Sequence, residues 1–147
     1  TGNDPTTLVI NADQGFMLEV AAGHADKNVT VVGAMSDTAR TITLPVGPSM
    51  TFVGTTYPIS NSLVSSELGN YAVGGMSEGE AERVWSWNGT GWETAWLVDT
   101  GGAFPEFDGQ WFTGNDPTTI QFNPGRAYMV EVLTGHNGFD WIYPKMY

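Results

Sequence analysis

The chain has no cysteine, which excludes a disulfide framework, an iron–sulfur cluster, a thiolate zinc site and covalently attached haem. Basic residues are scarce: five Lys and Arg stand against 16 Asp and Glu, a formal net charge of −11. Such a surface repels phosphate, which argues against nucleic-acid binding and against docking on anionic lipid. No apolar run approaches the roughly 18–20 residues needed to cross a bilayer, and no signal-type run is present, so membrane insertion is not expected. There are two histidines, His24 and His136, and no Gly-x-Ser-x-Gly elbow. Nucleophilic catalysis therefore lacks its parts, and no cofactor is implied. The first residue is Thr1 rather than Met, as expected of a processed product or an excerpt.

What is present is an aromatic-rich chain of 147 residues, abundant in uncharged polar Thr, Gly, Asn and Ser, with 14% charged residues and six Trp. That length suits a single β domain over 1–147, able to bury about two thirds of its unfolded surface. The composition suits an extracellular or cell-surface protein. Thr41-Ile42-Thr43-Leu44 and Met50-Thr51-Phe52-Val53 alternate with period 2, while Asn28 to Val32 and Ala127 to Val132 are rich in β-branched residues. Gly and Pro punctuate these runs at Pro45-Val46-Gly47-Pro48, Gly54, Pro58, Gly101-Gly102 and Pro124-Gly125. The pattern predicts an all-β fold, an antiparallel sandwich or barrel-like domain with at most one or two short helices. One helix is expected from Ser60 or Asn61 through Leu68, ending at Gly69, and a further turn is possible on paper in the acidic stretch Ser77 to Glu82. Val84-Trp85-Ser86-Trp87 and Trp92 to Leu97, joined through Asn88-Gly89, read as a hairpin. Alternation puts Trp85 and Trp87 on one face, and core packing is the expectation for that pair.

The strongest signal is a duplication. Thr1-Gly2-Asn3-Asp4-Pro5-Thr6-Thr7 recurs verbatim from Thr113 to Thr119, and the match runs on without gaps. Phe16-Met17-Leu18-Glu19-Val20 meets Tyr128-Met129-Val130-Glu131-Val132, and Gly23-His24 meets Gly135-His136. Residues 1–23 thus repeat residues 113–135 at an offset of 112. Either both copies pair within one chain, or the first closes a sheet on another subunit and the chain polymerises. The second reading makes Leu8, Ile10, Phe16 and Leu18 assembly residues, with Trp141, Tyr143 and Tyr147 as the complementary surface.

Thr51-Phe52-Val53-Gly54, Tyr57-Pro58, the Trp-Asn-Gly hairpin and Pro124-Gly125-Arg126-Ala127-Tyr128-Met129-Val130 resemble uncharacterised β-rich, Trp-containing repeat modules of secreted bacterial surface proteins. The resemblance spans roughly Thr51 to Val132. It implies a surface protein and carries no catalytic residue, ligand or cofactor.

Each candidate chemistry has a plainer counterpart. The two histidines hold equivalent repeat positions, as inherited loop residues would. Asp4, Asp116 and Asp108 are oxygen ligands of a type calcium takes, with Asp99 and Glu106 nearby, but no EF-hand spacing is present. An Asx turn ahead of proline explains Asn-Asp-Pro-Thr equally well. Glu93, Glu106 and Asp108 could form a glycosidase pair only at a defined separation in a cleft. Trp92, Trp96 and Trp111 could bind sugar if exposed, since their rings suit the C–H faces of a pyranose. Two glycosylation sequons occur, at Asn88 on the hairpin tip and at Asn28. Together these readings lead to a non-catalytic structural subunit of an extracellular filament or surface assembly, whose expected partners are copies of itself, with glycans as secondary partners. The alternative is a carbohydrate-binding or adhesive module.

Overall fold

The computed structural model describes residues 7, 9, 14–25, 37–55 and 57–146. Strands and bridges make up 37% of it, and the helical content is one 3-10 turn, Leu68–Asn70. Among the described residues ten strands follow in chain order: β1 Arg40–Leu44, β2 Ser49–Gly54, β3 Asn61–Ser62, β4 Arg83–Trp87 and β5 Trp92–Leu97. Then come β6 Trp111–Thr113, β7 Asp116–Pro117, β8 Gln121–Phe122, β9 Ala127–Val132 and β10 Phe139–Tyr143. All the pairings between these strands are antiparallel. One sheet has six strands in the order β2-β9-β4-β5-β6-β7, and two smaller sheets pair β1 with β10 and β3 with β8. The all-β, antiparallel expectation holds.

Period-2 alternation explains which side of the large sheet is covered. Val53, Tyr128, Val130, Val132, Val84, Ala95, Leu97 and Trp111 point to one side and are buried. Against them lie Ile42 and Leu44 of β1 and Trp141 and Tyr143 of β10, with Phe122 of β8 between. Aromatic rings dominate this core. Trp141 stacks on Tyr143 at 4.9 Å and tilts against Phe122 at 5.6 Å, while Phe122 meets Tyr128 edge-on at 4.9 Å. Such pairs contribute about 0.5–1.5 kcal/mol each beyond their buried area. Their polar ends are satisfied: Trp141 Nε1 donates to the Ser66 carbonyl at 2.9 Å, and the Tyr128 hydroxyl donates to the Gln121 carbonyl at 2.6 Å.

Three sequence expectations are corrected here. The helix from Ser60 to Gly69 does not form, because Asn61 and Ser62 pair with Phe122 and Gln121, and the serine side chains bond locally instead. Ser66 Oγ donates to the Leu63 carbonyl at 2.6 Å and Ser62 Oγ accepts from the Ser65 N–H at 3.0 Å. Serine competes with helical hydrogen bonding in this way, and Glu67, at φ 60°, ends any helical path. Trp85 and Trp87 face away from the core, since Val84 takes the buried position of β4. Trp141 and Tyr143 are core residues and present no surface to a second subunit. Leu8, Ile10, Asp4, Asn28, Tyr147 and the expected strand from Asn28 to Val32 lie outside the described residues.

The β1–β2 connection is held by close backbone approaches, the tightest at Gly47. Gly47 N–H donates to the His136 carbonyl at 3.1 Å, and a Cβ at Gly47 would overlap the Leu133 carbonyl. Backbone cannot give way as a side-chain tip would, so overpacking here should cost about 3 kcal/mol. For a domain of this size Gly47→Ala should lower the thermal midpoint by about 6–12 °C. Gly79→Ala is the control, because nothing lies within 4 Å of a Cβ there. Equal midpoints for the two variants would contradict the close approach.

Candidate functional site

The uncovered side of the six-stranded sheet carries most of the tryptophans. Across its strands, Phe52, Met129, Trp85 and Thr94 stand in one row, and Met50, Glu131, Arg83, Trp96 and Phe112 in the next. Trp87 and Trp92 sit opposite each other at the hairpin end, rings edge-to-face with centroids 5.4 Å apart. Trp87 is 45% exposed and Trp92 36%. The other end of the face is covered: Phe112 is buried between Trp96 and Phe107.

A charged network braces the middle of this face. Arg83 Nε and Nη2 donate to the two Glu131 oxygens at 2.9 and 2.8 Å, and Trp85 Nε1 donates to Glu131 Oε2 at 2.7 Å. Arg83 also lies 5.5 Å from the centroid of the Trp85 ring, a cation–π distance. A bidentate arginine–carboxylate fork fixes orientation as well as charge, so β4 and β9 are registered by side chains as well as by their ladder.

Beside Trp87 and Trp92 the first repeat copy crosses the sheet edge. Gln14 bridges Val53 on the free side of β2, and Gly15 N–H donates to the Phe52 carbonyl at 3.4 Å. A Cβ on Gly15 would come within 2.8 Å of Ala127 Cβ, so only glycine allows this approach. Pairing then stops. Phe16 to Val20 belong to no strand, and Met17 and Leu18 are 64% and 60% exposed. The matched residues of the second copy, Tyr128 to Val132, are the central strand β9, with Tyr128, Val130 and Val132 buried. The two copies agree again at the following turn: Gly23 and Gly135 have φ of 84° and 87°, and His24 and His136 N–H donate to Ala21 and Leu133 at 3.2 and 3.1 Å. The two copies therefore share the turn, while Phe16 to Val20 lack the strand pairing of Tyr128 to Val132.

Between that segment and the sheet lies an open cleft of about 650 Å³, walled by Phe16, Phe52, Trp87 and Trp92 and rimmed by Asn88 and Arg126. The hairpin loop that supplies Asn88 is rigidly built. Asn88 Oδ1 accepts from Thr90 N, Thr90 Oγ1 and Gly91 N at 2.9, 3.0 and 2.9 Å, and its Nδ2 donates to Glu93. The sequon asparagine is exposed on this tip, and its amide already holds the loop.

The remaining predicted residues are dispersed. Trp96 Nε1 donates to the Gly114 carbonyl at 3.3 Å, and Trp111 is buried, which removes it from any sugar site. Asp108 is a loop organiser: its oxygens accept from Thr100 N and Oγ1, both at 2.6 Å, and from Gly102 N at 3.2 Å. The Thr100 bonds hold its carboxyl below the ordinary range. Asp116 is exposed in β7, and among the described residues no three His, Cys, Asp or Glu come together as a metal would require. None of Glu93, Glu106 or Asp108 lines the aromatic cleft. Among the described residues no helix is long and apolar enough to cross a membrane.

Sequence reasoning missed one buried pair. Glu82 is wholly buried; one oxygen accepts the Val73 N–H at 3.0 Å and the other lies 3.5 Å from His136 Nδ1. Burial pushes the Glu82 carboxyl up, against the pull of the Val73 bond and of His136. A glutamate ending the acidic run Ser77 to Glu82 carried no signal of burial, although it directly precedes the strand Arg83–Trp87.

Compared with known families, curated proteins and solved structures, the chain finds no match in any of the three.

Proposed function

We propose that the protein is a non-catalytic structural subunit of an extracellular filament or surface assembly, elongating through strand pairing by Phe16 to Val20. The observation that carries this reading is the unequal fate of one repeated pattern. As Tyr128 to Val132 it is paired on both sides, by β2 and β4, and as Phe16 to Val20 it is left in water. An apolar segment with free N–H and C=O groups is a template for pairing with another chain. Burial of its side chains on a second copy stabilises at about 25 cal/mol per Å². Glu19 matches Glu131, which is clasped by Arg83 and Trp85, so the pattern also brings a carboxylate suited to such a partner. The surface-module resemblance and the neutral-polar composition support the extracellular placement.

At a net charge of −11 the copies repel one another, so added salt should promote association by screening. Light scattering and electron microscopy should show concentration-dependent polymers, strengthened by salt. Leu18→Glu should remain monomeric with its thermal midpoint nearly unchanged, because surface substitutions typically stay within about 0.5 kcal/mol. A full-length chain that stays monomeric at high concentration and high salt would sink the reading. A second reading, a carbohydrate-binding or adhesive module, is favoured by the exposed Trp87–Trp92 pair beside Phe52.

A further inference from the structure

Among the described residues, the arginine on the rim of the aromatic cleft has no carboxylate partner. In a chain with 16 acidic and five basic residues, a cation should find an acid easily. Arg83 does, in its fork on Glu131. Arg126 makes no ion pair among the described residues, and its guanidinium has one hydrogen bond, from Nη1 to the Trp87 carbonyl at 3.4 Å. Its backbone is held in place: Gly125 takes φ 73°, and Arg126 N–H closes a turn on the Asn123 carbonyl at 3.2 Å. That turn delivers Arg126 to the cleft immediately before β9.

Three features then converge within one cleft. Trp87 and Trp92 present two partly exposed rings at 66° to each other, with Phe52 beside them. Aromatic faces of this kind suit the C–H faces of a pyranose. The volume, about 650 Å³, lies within the roughly 300–1,000 Å³ typical of ligand clefts. Arg126 adds a positive charge and donors in a planar fork, the geometry that matches a carboxylate. A purely apolar ligand would leave that guanidinium facing hydrocarbon, and a neutral sugar would leave its charge unanswered.

We propose that this cleft binds an acidic saccharide, a pyranose bearing a carboxylate, with the ring against Trp87 and Trp92 and the carboxylate on Arg126. The inference rests on the carbohydrate-binding reading and sharpens it to a charged sugar and a named cation. Phe16 to Leu18 line this cleft and also belong to the segment proposed to pair with another copy, so the binding test is run on the monomer.

The test is titration of the full chain with a hexuronate trisaccharide and with the same trisaccharide after reduction of its carboxyls to alcohols, followed by tryptophan fluorescence and calorimetry. The acidic sugar should shift the fluorescence and bind at least about tenfold more tightly than the reduced one, with an advantage that shrinks as salt rises. Arg126→Gln should remove that advantage while leaving the weaker binding of the reduced sugar in place. Trp92→Ala should weaken both sugars, with circular dichroism checking that the fold is intact. Equal affinity for the two sugars would overturn the acidic-sugar inference and leave the binding-module reading standing. No binding of either sugar would overturn both.

Discussion

Trp141→Ala should destabilise the protein by about 3–5 kcal/mol, the range for truncating a buried tryptophan, and lower its denaturation midpoint accordingly. The indole has no exposed surface and is the largest wholly buried side chain described. It ties β10 to β8 and to the segment after β3, stacked on Tyr143, tilted against Phe122 and bonded to the Ser66 carbonyl. Alanine would leave a cavity between β10 and the large sheet and would also strand the Ser66 acceptor, and a stranded buried group adds its own desolvation cost. Domain stabilities are typically about 5–15 kcal/mol, so this one change removes a large part of the total. Trp87→Ala on the outward face should cost far less, since nearly half of that ring is already in water. Comparable losses for the two variants, measured by equilibrium denaturation in urea, would contradict the assignment of inner and outer faces.

The two tryptophans also mark where the sequence was informative. Period-2 alternation fixes that Trp85 and Trp87 share a face, and Asn88-Gly89 gives the turn between the hairpin strands, with Gly89 at φ 106°. Alternation cannot say which of two faces is inside when both are apolar. Val84, a small β-branched residue, is buried, while its large neighbours Trp85 and Trp87 are turned outward. The expectation that Trp85 and Trp87 pack in the core is overturned because Val84 takes the buried position of β4. The serine-rich segment from Ser60 failed for a related reason: a helical spacing of Leu63, Val64 and Leu68 was overridden by local serine bonds and by the pairing of Asn61 with a strand about 60 residues away. The duplication was plain as letters, yet its consequence was not. Whether Phe16 to Val20 pairs as its copy does depends on which sheet edge is already taken, and here β9 fills the place between β2 and β4. Arg126 was legible only as part of a Pro-Gly-Arg-Ala-Tyr strand entry, because its lack of an ion pair among the described residues is a fact of three-dimensional placement.

Stability should fall as pH rises above about 4.5, and Glu82→Gln should abolish that component of the fall. In the unfolded chain Glu82 titrates near its ordinary value of 4.5, whereas burial raises it in the folded state. Between those two values the unfolded chain has released the proton that the folded chain retains. The unfolded state then binds fewer protons, so the unfolding free energy decreases with pH until the folded carboxyl has also ionised. Asp108 acts in a different window and with the opposite sign. Its folded value lies below the ordinary 3.8, so its contribution is lost as the solution becomes more acid than that. Glutamine can still accept the Val73 N–H and can donate to His136 Nδ1, so it keeps the contacts without the buried charge. Neutral replacement of a buried ionic group is often stabilising by about 1–4 kcal/mol, and Glu82→Gln should show its gain at pH 8 and little of it at pH 4. His136→Ala should act the other way, because it removes the neighbour that pulls the Glu82 carboxyl down. Self-repulsion of a chain at −11 also weakens the fold as pH rises, but it is common to wild type and variant apart from one charge. The difference between their stability curves in 0.5 M salt, where the Debye length is about 4 Å, isolates the buried carboxyl. Parallel curves from pH 4 to pH 8 would show that Glu82 ionises in the folded protein as freely as in the unfolded chain.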